Sequence, residues 1–416
     1  MKRPSRIKAA AGALFRLAAR NVLRQRARTA MTLAAIAFGV IGLILSGGFV
    51  QDIFVQLGEA VIHSQSGHLQ VAKAGFAEKG ARRPDQYLIA QPDALRAQLA
   101  AERGVIDVMG RISFSGLLNN GRSDLSIVGE GIEPEREARN GTYLFISAGR
   151  QLEDGDRFGA LLGRGVAQAL NLAPGDRATL VVSTRDGATN TLDLEVVGVF
   201  QTFSKDYDAR AVKIALPAAQ ELLDTQGVNV LVVALARTRD TMRTATALRS
   251  RVSSQGFEVS TWEELNDFYD KTVKLYDRQF GALRLIILAM VLLSVTNTVN
   301  MTIFERVGEF GTMRALGNRG ASVFALVLAE SAVLGVAGAA LGTVLGVLLA
   351  LSISAIGIPM PPPPNADIGY TAEIQLVPPV IASAFGIGVI ATVLAAILPA
   401  LRVARTDVVE ALRQNV

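Results

Sequence analysis

Four charged side chains crowd into one thirteen-residue stretch, ERVGEFGTMRALG: Glu305, Arg306, Glu309 and Arg314. Acids and arginines at this spacing suit charge-paired contact, not bond-breaking chemistry. Arg306 and Glu309 stand one helical turn apart, so an internal pair worth about 0.2–0.5 kcal/mol competes with any external contact. Val307, Phe310 and Met313 are interleaved with the charges. The stretch is helix-prone and abuts an apolar run, SVTNTVNMTIF. A plain connection between two membrane spans would not need that pattern.

Residues for catalysis are sparse. The chain has no Gly-Lys pair, hence no G-x-x-x-x-G-K-[ST] phosphate loop. GALLGRG lacks the lysine and a preceding strand, and reads as the start of a helix. No H-E-x-x-H or G-x-S-x-G is present. The two histidines, His63 and His68 in HSQSGH, have no further ligands clustered nearby in sequence and read as a solvated pair. Cysteine is absent, which excludes disulfides and thiolate metal sites. Trp262 reads as a packing residue. No catalytic, cofactor-binding or metal residues are assigned, and the chain is not expected to be an enzyme.

The elements that must position these residues are membrane spans. The 416 residues are 50% hydrophobic and only 19% charged, against about 25% charged in a soluble domain. A hydrocarbon core of about 30 Å needs about 20 apolar residues. Four segments qualify: 29–50, 282–304, 321–354 and 377–399. The leader 1–28 carries nine Lys and Arg and no acid. Between the second and third spans lie Arg306, Arg314 and Arg319 against Glu305 and Glu309, and the tail 400–416 has three arginines against two acids, whereas the loop 355–376 has two acids and no Lys or Arg. The positive-inside rule places both termini and the charged stretch in the cytoplasm. Beside a span, the basic leader reads this way and not as a nucleic-acid patch. Residues 51–281 then lie outside as one large insertion. Runs such as RATLVVST, LDLEVVGVF and NVLVVALA read as strands, and PDALRAQLAAE, PAAQELLDT and DTMRTATALRSRV as helices. STRDGATN reads as a hairpin turn around Asp186-Gly187. TWEELNDFYDKTVKLYDRQFGALRL reads as a helix feeding directly into the second span. The fold class is thus an α-helical membrane protein with four transmembrane helices and a mixed α/β domain inserted between the first two.

Inside the spans, Glu330 stands out, since a carboxylate at the bilayer centre costs about 2.5–3.5 kcal/mol. It is either a proton or substrate site, or a residue near the interface bonded to a neighbouring helix. A lone acid makes a poor relay, which favours the second reading. Asn297 and Asn300 are candidate partners and candidate glue between helices. Gly335, Gly338, Gly342 and Gly346 form a small-residue stripe that lets helices approach closely, within or between subunits. PPPP at 361–364 stiffens the outer loop.

ERVGEFGTMRALG just inside the second of four spans resembles the cytoplasmic segment of the FtsX-like (MacB-type) ABC transporter permeases. AARNVLRQRARTAMT resembles their amphipathic lead-in helix. LLGRGVAQALNLAPGDRATL followed by LEVVGVF resembles their extracytoplasmic-domain signature, and PALRVARTDVVEALR their terminal motif, with Val408 where the family usually has Pro. The resemblance implies an inner-membrane subunit, paired with a like or unlike permease, that works with separate cytoplasmic ATPase subunits. ATP-Mg is then bound by those subunits and not by this chain. It implies that Glu305, Arg306, Glu309 and Arg314 meet charges on the ATPase while Val307, Phe310 and Met313 pack. YDARAVKIALPAAQELL and VSTWEELNDFYD resemble the lipoprotein-releasing branch. Its Pro-containing hook is absent, because the matching hairpin is only STRDGATNT. The expected function is export or extraction of a lipophilic or peptide-like cargo such as lipoprotein, with a periplasmic partner possible. The alternative is a non-transporting permease that transmits movement to a periplasmic or membrane partner.

Overall fold

The computed structural model describes residues 26–80, 84–141, 144–184, 187–361 and 369–406. The expected lead-in helix up to residue 25, Asp186, most of the PPPP run and Val408 lie outside the described residues. The chain forms two units. One comprises residues up to Phe54, Val273–Ile358 and Thr371 onward; the other comprises Val55–Thr272 and Pro359–Tyr370.

The α/β unit is built on a ten-stranded sheet, with β1 (Leu69–Lys73), β2 (Val105–Asn119), β3 (Asp124–Ile132), β4 (Phe145–Gly149), β5 (Gly159–Gly163), β6 (Arg177–Ser183), β7 (Thr189–Gln201), β8 (Ala211–Ala215), β9 (Val230–Leu235) and β10 (Phe257–Thr261). The order is β10-β1-β9-β2-β3-β8-β5-β7-β4, with β6 paired to β2 and β7. Two pairs, β3 with β8 and β5 with β7, are parallel. Strand β2 is long because it serves two neighbours in turn, β9 through Arg111 and then β6 from Gly116.

Its helices include α2 (Pro92–Ala100), α3 (Pro134–Asn140), α4 (Arg164–Leu170), α5 (Leu216–Leu222) and α6 (Thr241–Val252), while α1 (Arg26–Val61) precedes them. Proline stands at the first or second position of α2, α3 and α5, where its missing N–H costs no helical bond. Leu95 and Leu99, Val166 and Leu170, Ala218 and Leu222, and Leu248 and Val252 bury one face of α2, α4, α5 and α6 respectively against the sheet. GALLG forms the buried strand β5, with α4 following at once. This corrects the reading that no strand precedes the helix: five apolar or glycine residues buried on both faces carry no alternation to mark them. Lys213 is also hidden, on β8, which is buried along its whole length.

The second unit is helical. Long helices α1, α7 (Asp267–Glu305), α9 (Gly320–Ile356) and α10 (Pro378–Arg405) are each long and apolar enough to cross a membrane. Each outlasts the apolar run that marks it, so the elements are longer than 29–50, 282–304, 321–354 and 377–399. The short helix α8 (Val307–Ala315) lies between α7 and α9. Strands β11 (Ile358–Met360) and β12 (Tyr370–Ala372) pair with each other. Ile36, Val40, Val295, Val299, Phe310, Val327 and Ala396 lie in one buried apolar core.

The glycine stripe is divided between two helices. A Cβ on Gly342 would lie 2.8 Å from the backbone oxygen of Ala37, and one on Gly338 2.9 Å from Ile36. Gly346 faces Ile41 and Ile44, so these three seat α9 against α1 within one chain. Gly335 instead faces Val389 and Thr392 of α10.

Candidate functional site

Helix α7 ends at Glu305 and α8 begins at Val307, with Arg306 between them at φ −107° and ψ 10°. The chain therefore turns at a residue whose side chain points into the protein. Arg306 is only 8% exposed, as is Glu330 of α9. The guanidinium donates from Nη1 to Glu330 Oε2 at 2.8 Å and from Nε to Glu309 Oε2 at 2.9 Å. Its Cζ stands 5.1 Å from the ring centre of Phe310, itself 2% exposed. One arginine thus binds a buried carboxylate, an exposed carboxylate and an aromatic face.

The rest of α8 is held from the other end. Arg314 donates from Nη1 to the carbonyl oxygen of Thr406, just past α10. Gly317 adopts φ +95°, the left-handed region that lets the helix stop. A Cβ on Gly320, where α9 starts, would lie 2.6 Å from the Ala404 carbonyl oxygen. The ends of α8, α9 and α10 therefore meet at close range. Gly308, Phe310 and Gly311 are buried, and Val307, Met313 and Arg314 are half-buried, with Met313 packed on the core.

Glu309, Thr312 and Leu316 are exposed, at the i, i+3, i+7 spacing of one face of α8, and Glu305, the last residue of α7, is exposed before the turn. Leu316 is 81% exposed. Sequence reading missed it, although it stands seven residues from Glu309 and so shares that face. It also set Arg306 outward, against a partner's charges. The structure turns it inward, where it supplies a countercharge to the buried carboxylate of Glu330. The expected partners of Glu330, Asn297 and Asn300, are exposed and half-buried on α7. The polar tie from that part of α7 to α10 is Thr296 Oγ1 to the Ala395 carbonyl, 3.3 Å.

Comparison with known proteins follows the same division. Residues 29–251 match the MacB-like periplasmic core domain, and residues 281–408 match the FtsX-like permease C-terminal domain. The chain belongs to the FtsX-like (MacB-type) permease family. Curated relatives of this permease include an uncharacterized ABC transporter permease of Methanocaldococcus jannaschii, 26% identical over 229 residues, or 53% of this chain and 55% of that protein. An uncharacterized ABC transporter permease protein of Mycobacterium tuberculosis is 28% identical over 198 residues, 46% of this chain and 22% of that one. The lipoprotein-releasing system transmembrane protein LolE of Haemophilus influenzae is 22% identical over 252 residues, 58% of this chain and 60% of LolE. The permease thus spans about half the length of the first of these relatives and less than two thirds of any of the three. Among solved structures, the extracellular domain of YknZ from Gram-positive bacteria aligns with 47% of this chain and 99% of that domain, at 15% identity and a TM-score of 0.34. The periplasmic region of MacB from Actinobacillus actinomycetemcomitans aligns with 51% of this chain and 95% of that region, at 16% identity and a TM-score of 0.35.

The FtsX-like permease also holds its two histidines differently from the solvated pair expected. His68 is 2% exposed and belongs to a hydrogen-bonded cluster. Among the described residues no group of three or more His, Asp or Glu is placed to hold a metal ion. Trp262 is buried against Val61, Ile62 and Tyr269.

Proposed function

We propose that this chain is the permease subunit of an ABC transporter of the inner membrane, with both termini in the cytoplasm and α8 as the contact for a separate ATPase. The supporting observation is the Arg306–Glu330 ion pair. It joins the turn before α8 to the third long helix at 2.8 Å. Together with Arg314 bonded to Thr406, it makes α8 a fixed part of the bundle instead of a swinging loop. A force applied to the exposed Glu309–Leu316 face of α8 then acts on α7, α9 and α10 at once.

Helix α7 carries that force furthest. Its 39 residues are unbroken from Asp267 to Glu305, a rod of about 58 Å at 1.5 Å per residue. ATP-Mg is bound and hydrolysed by the partner, and a second permease subunit completes the complex. The similarity to LolE favours a lipophilic or peptide-like cargo such as lipoprotein, extracted by movement of the periplasmic domain.

Purification of the tagged full chain from native membranes tests this. An ATPase should co-purify, and its turnover in lipid nanodiscs should rise with a lipidated peptide. Turnover that instead follows an added protein partner would select the mechanical, non-transporting role. Absence of any bound ATPase would overturn both.

A further inference from the structure

Helix α1 gives way to β1 through a π-helical turn, Ile62–Ser66, a rare geometry that favours functional sites. A chain of polar side chains ties this turn to its surroundings, and the direction of every bond can be worked out. The Leu235 N–H donates to His68 Nδ1 at 3.2 Å, so that nitrogen carries no proton. Neutral His68 therefore holds its proton on Nε2, which faces Thr238 Oγ1 at 3.3 Å. Thr238 Oγ1 donates to Glu59 Oε1 at 2.6 Å. Glu59 Oε2 lies 3.2 Å from His63 Nε2, and His63 Nδ1 lies 2.7 Å from the Asn140 carbonyl oxygen. A carboxylate and a carbonyl only accept, so both His63 nitrogens donate and the ring is an imidazolium.

The two rings stand 5.7 Å apart and nearly perpendicular, at 89°, one cationic and the other neutral. Burial, and then the charge of His63, push His68 down to about 4. Asp107 of β2, Arg136 and Arg139 of α3, and Arg237 beyond β9 line a cavity of about 540 Å³ beside the cluster, and Arg111 of β2, paired to Glu137 of α3, donates to the Gln65 carbonyl oxygen within the turn itself. Asp107 is held by Arg136 at 2.5 Å and faces Arg139 at 3.5 Å, leaving Glu59 as the acid paired to His63.

We propose that Glu59, His63, Thr238 and His68 form a proton-operated joint that fastens the end of α1 to β1, β9 and α3, closed near neutral pH and loosened on either side. On the acid side, a second proton on His68 leaves Nδ1 and the Leu235 N–H as two opposed donors. On the alkaline side, loss of a proton from His63 leaves a bare nitrogen facing an oxygen. Either change removes one bond from a chain in which each residue depends on the next.

The single tryptophan of the chain reports on the joint. Trp262 packs on Val61 and Ile62, and its ring would lie 2.9 Å from a Cβ at Gly58. Emission from the full-length protein in nanodiscs should be constant around neutral pH and shift to longer wavelength at both ends of a titration from about pH 4 to about pH 9. His68→Gln should remove the acid-side shift and His63→Gln the alkaline one. Thr238→Val, which deletes only the linking hydroxyl, should show shifted emission already at neutral pH. Flat wild-type emission, histidine variants that titrate like the wild type, or wild-type emission in Thr238→Val at neutral pH would each overturn the proposal.

Discussion

Arg306 and Glu330 are twenty-four residues apart in sequence and 2.8 Å apart in space, each only 8% exposed. The pair makes a residue between two helices and a residue within a third depend on one another. Removing one member of a buried ion pair costs about 3–5 kcal/mol. Glu330→Ala and Arg306→Ala should therefore each lower the unfolding temperature sharply. The double variant Arg306→Met/Glu330→Met should recover much of that loss. Thermal unfolding of all three in one detergent measures the coupling; strictly additive losses would mean that the pair contributes nothing.

Glu309 tests the outer face separately from the fold. Its bond to Arg306 is half-exposed, with the Glu309 side chain at 47%, so losing it should cost only about 0.2–0.5 kcal/mol. Glu309→Lys should leave the unfolding temperature nearly unchanged and sharply reduce ATPase recovered with the permease. Leu316→Asp should do the same. Full recovery of ATPase with both variants would remove α8 as the contact.

The α1–α9 contact makes a prediction about packing. Gly342 leaves no room for a side chain beside Ala37. Gly342→Leu must force the helices apart, and overpacking of this kind costs about 1–3 kcal/mol. Gly386, with nothing within 4 Å of its would-be Cβ, is the control, and Gly386→Ala should be nearly silent. Paired unfolding curves decide it.

Glu130 gives the α/β unit a defined acid response. Burial pushes its pKa up, but the charges of Lys213 and Arg111 outweigh that and bring it to about 2. The folded value lies below the ordinary one of 4.5, so the stabilisation is full above about pH 4.5 and drains away as pH falls toward 2. Lys213 Nζ is 2.9 Å from Glu130 Oε2 and 2% exposed. Lys213→Met should therefore move the acid-unfolding midpoint, followed by circular dichroism, to higher pH. An unmoved midpoint would show that Lys213 does not hold Glu130 ionised.

Much of the architecture was legible before folding, because bilayers and helices impose patterns on contiguous residues. Four apolar runs and Pro-led helices such as PAAQELLDT are such patterns. Strand β5 and the long β2 were not, since a strand buried on both faces shows no alternation and one with two successive partners shows no single period.

The sequence by itself determined the number of long apolar helices, the insertion between the first two, and the charged stretch that interrupts them, because each depends only on local composition. Tertiary structure alone decided where the charges point. Arg306 turns inward because a buried Glu330 awaits it, and His63 and His68 differ in charge because Glu59 and Asn140 surround one and the Leu235 amide meets the other. Glu330, Asn140 and Leu235 come from distant parts of the chain, and no spacing along it encodes them; Glu59 alone is local, one helical turn from His63.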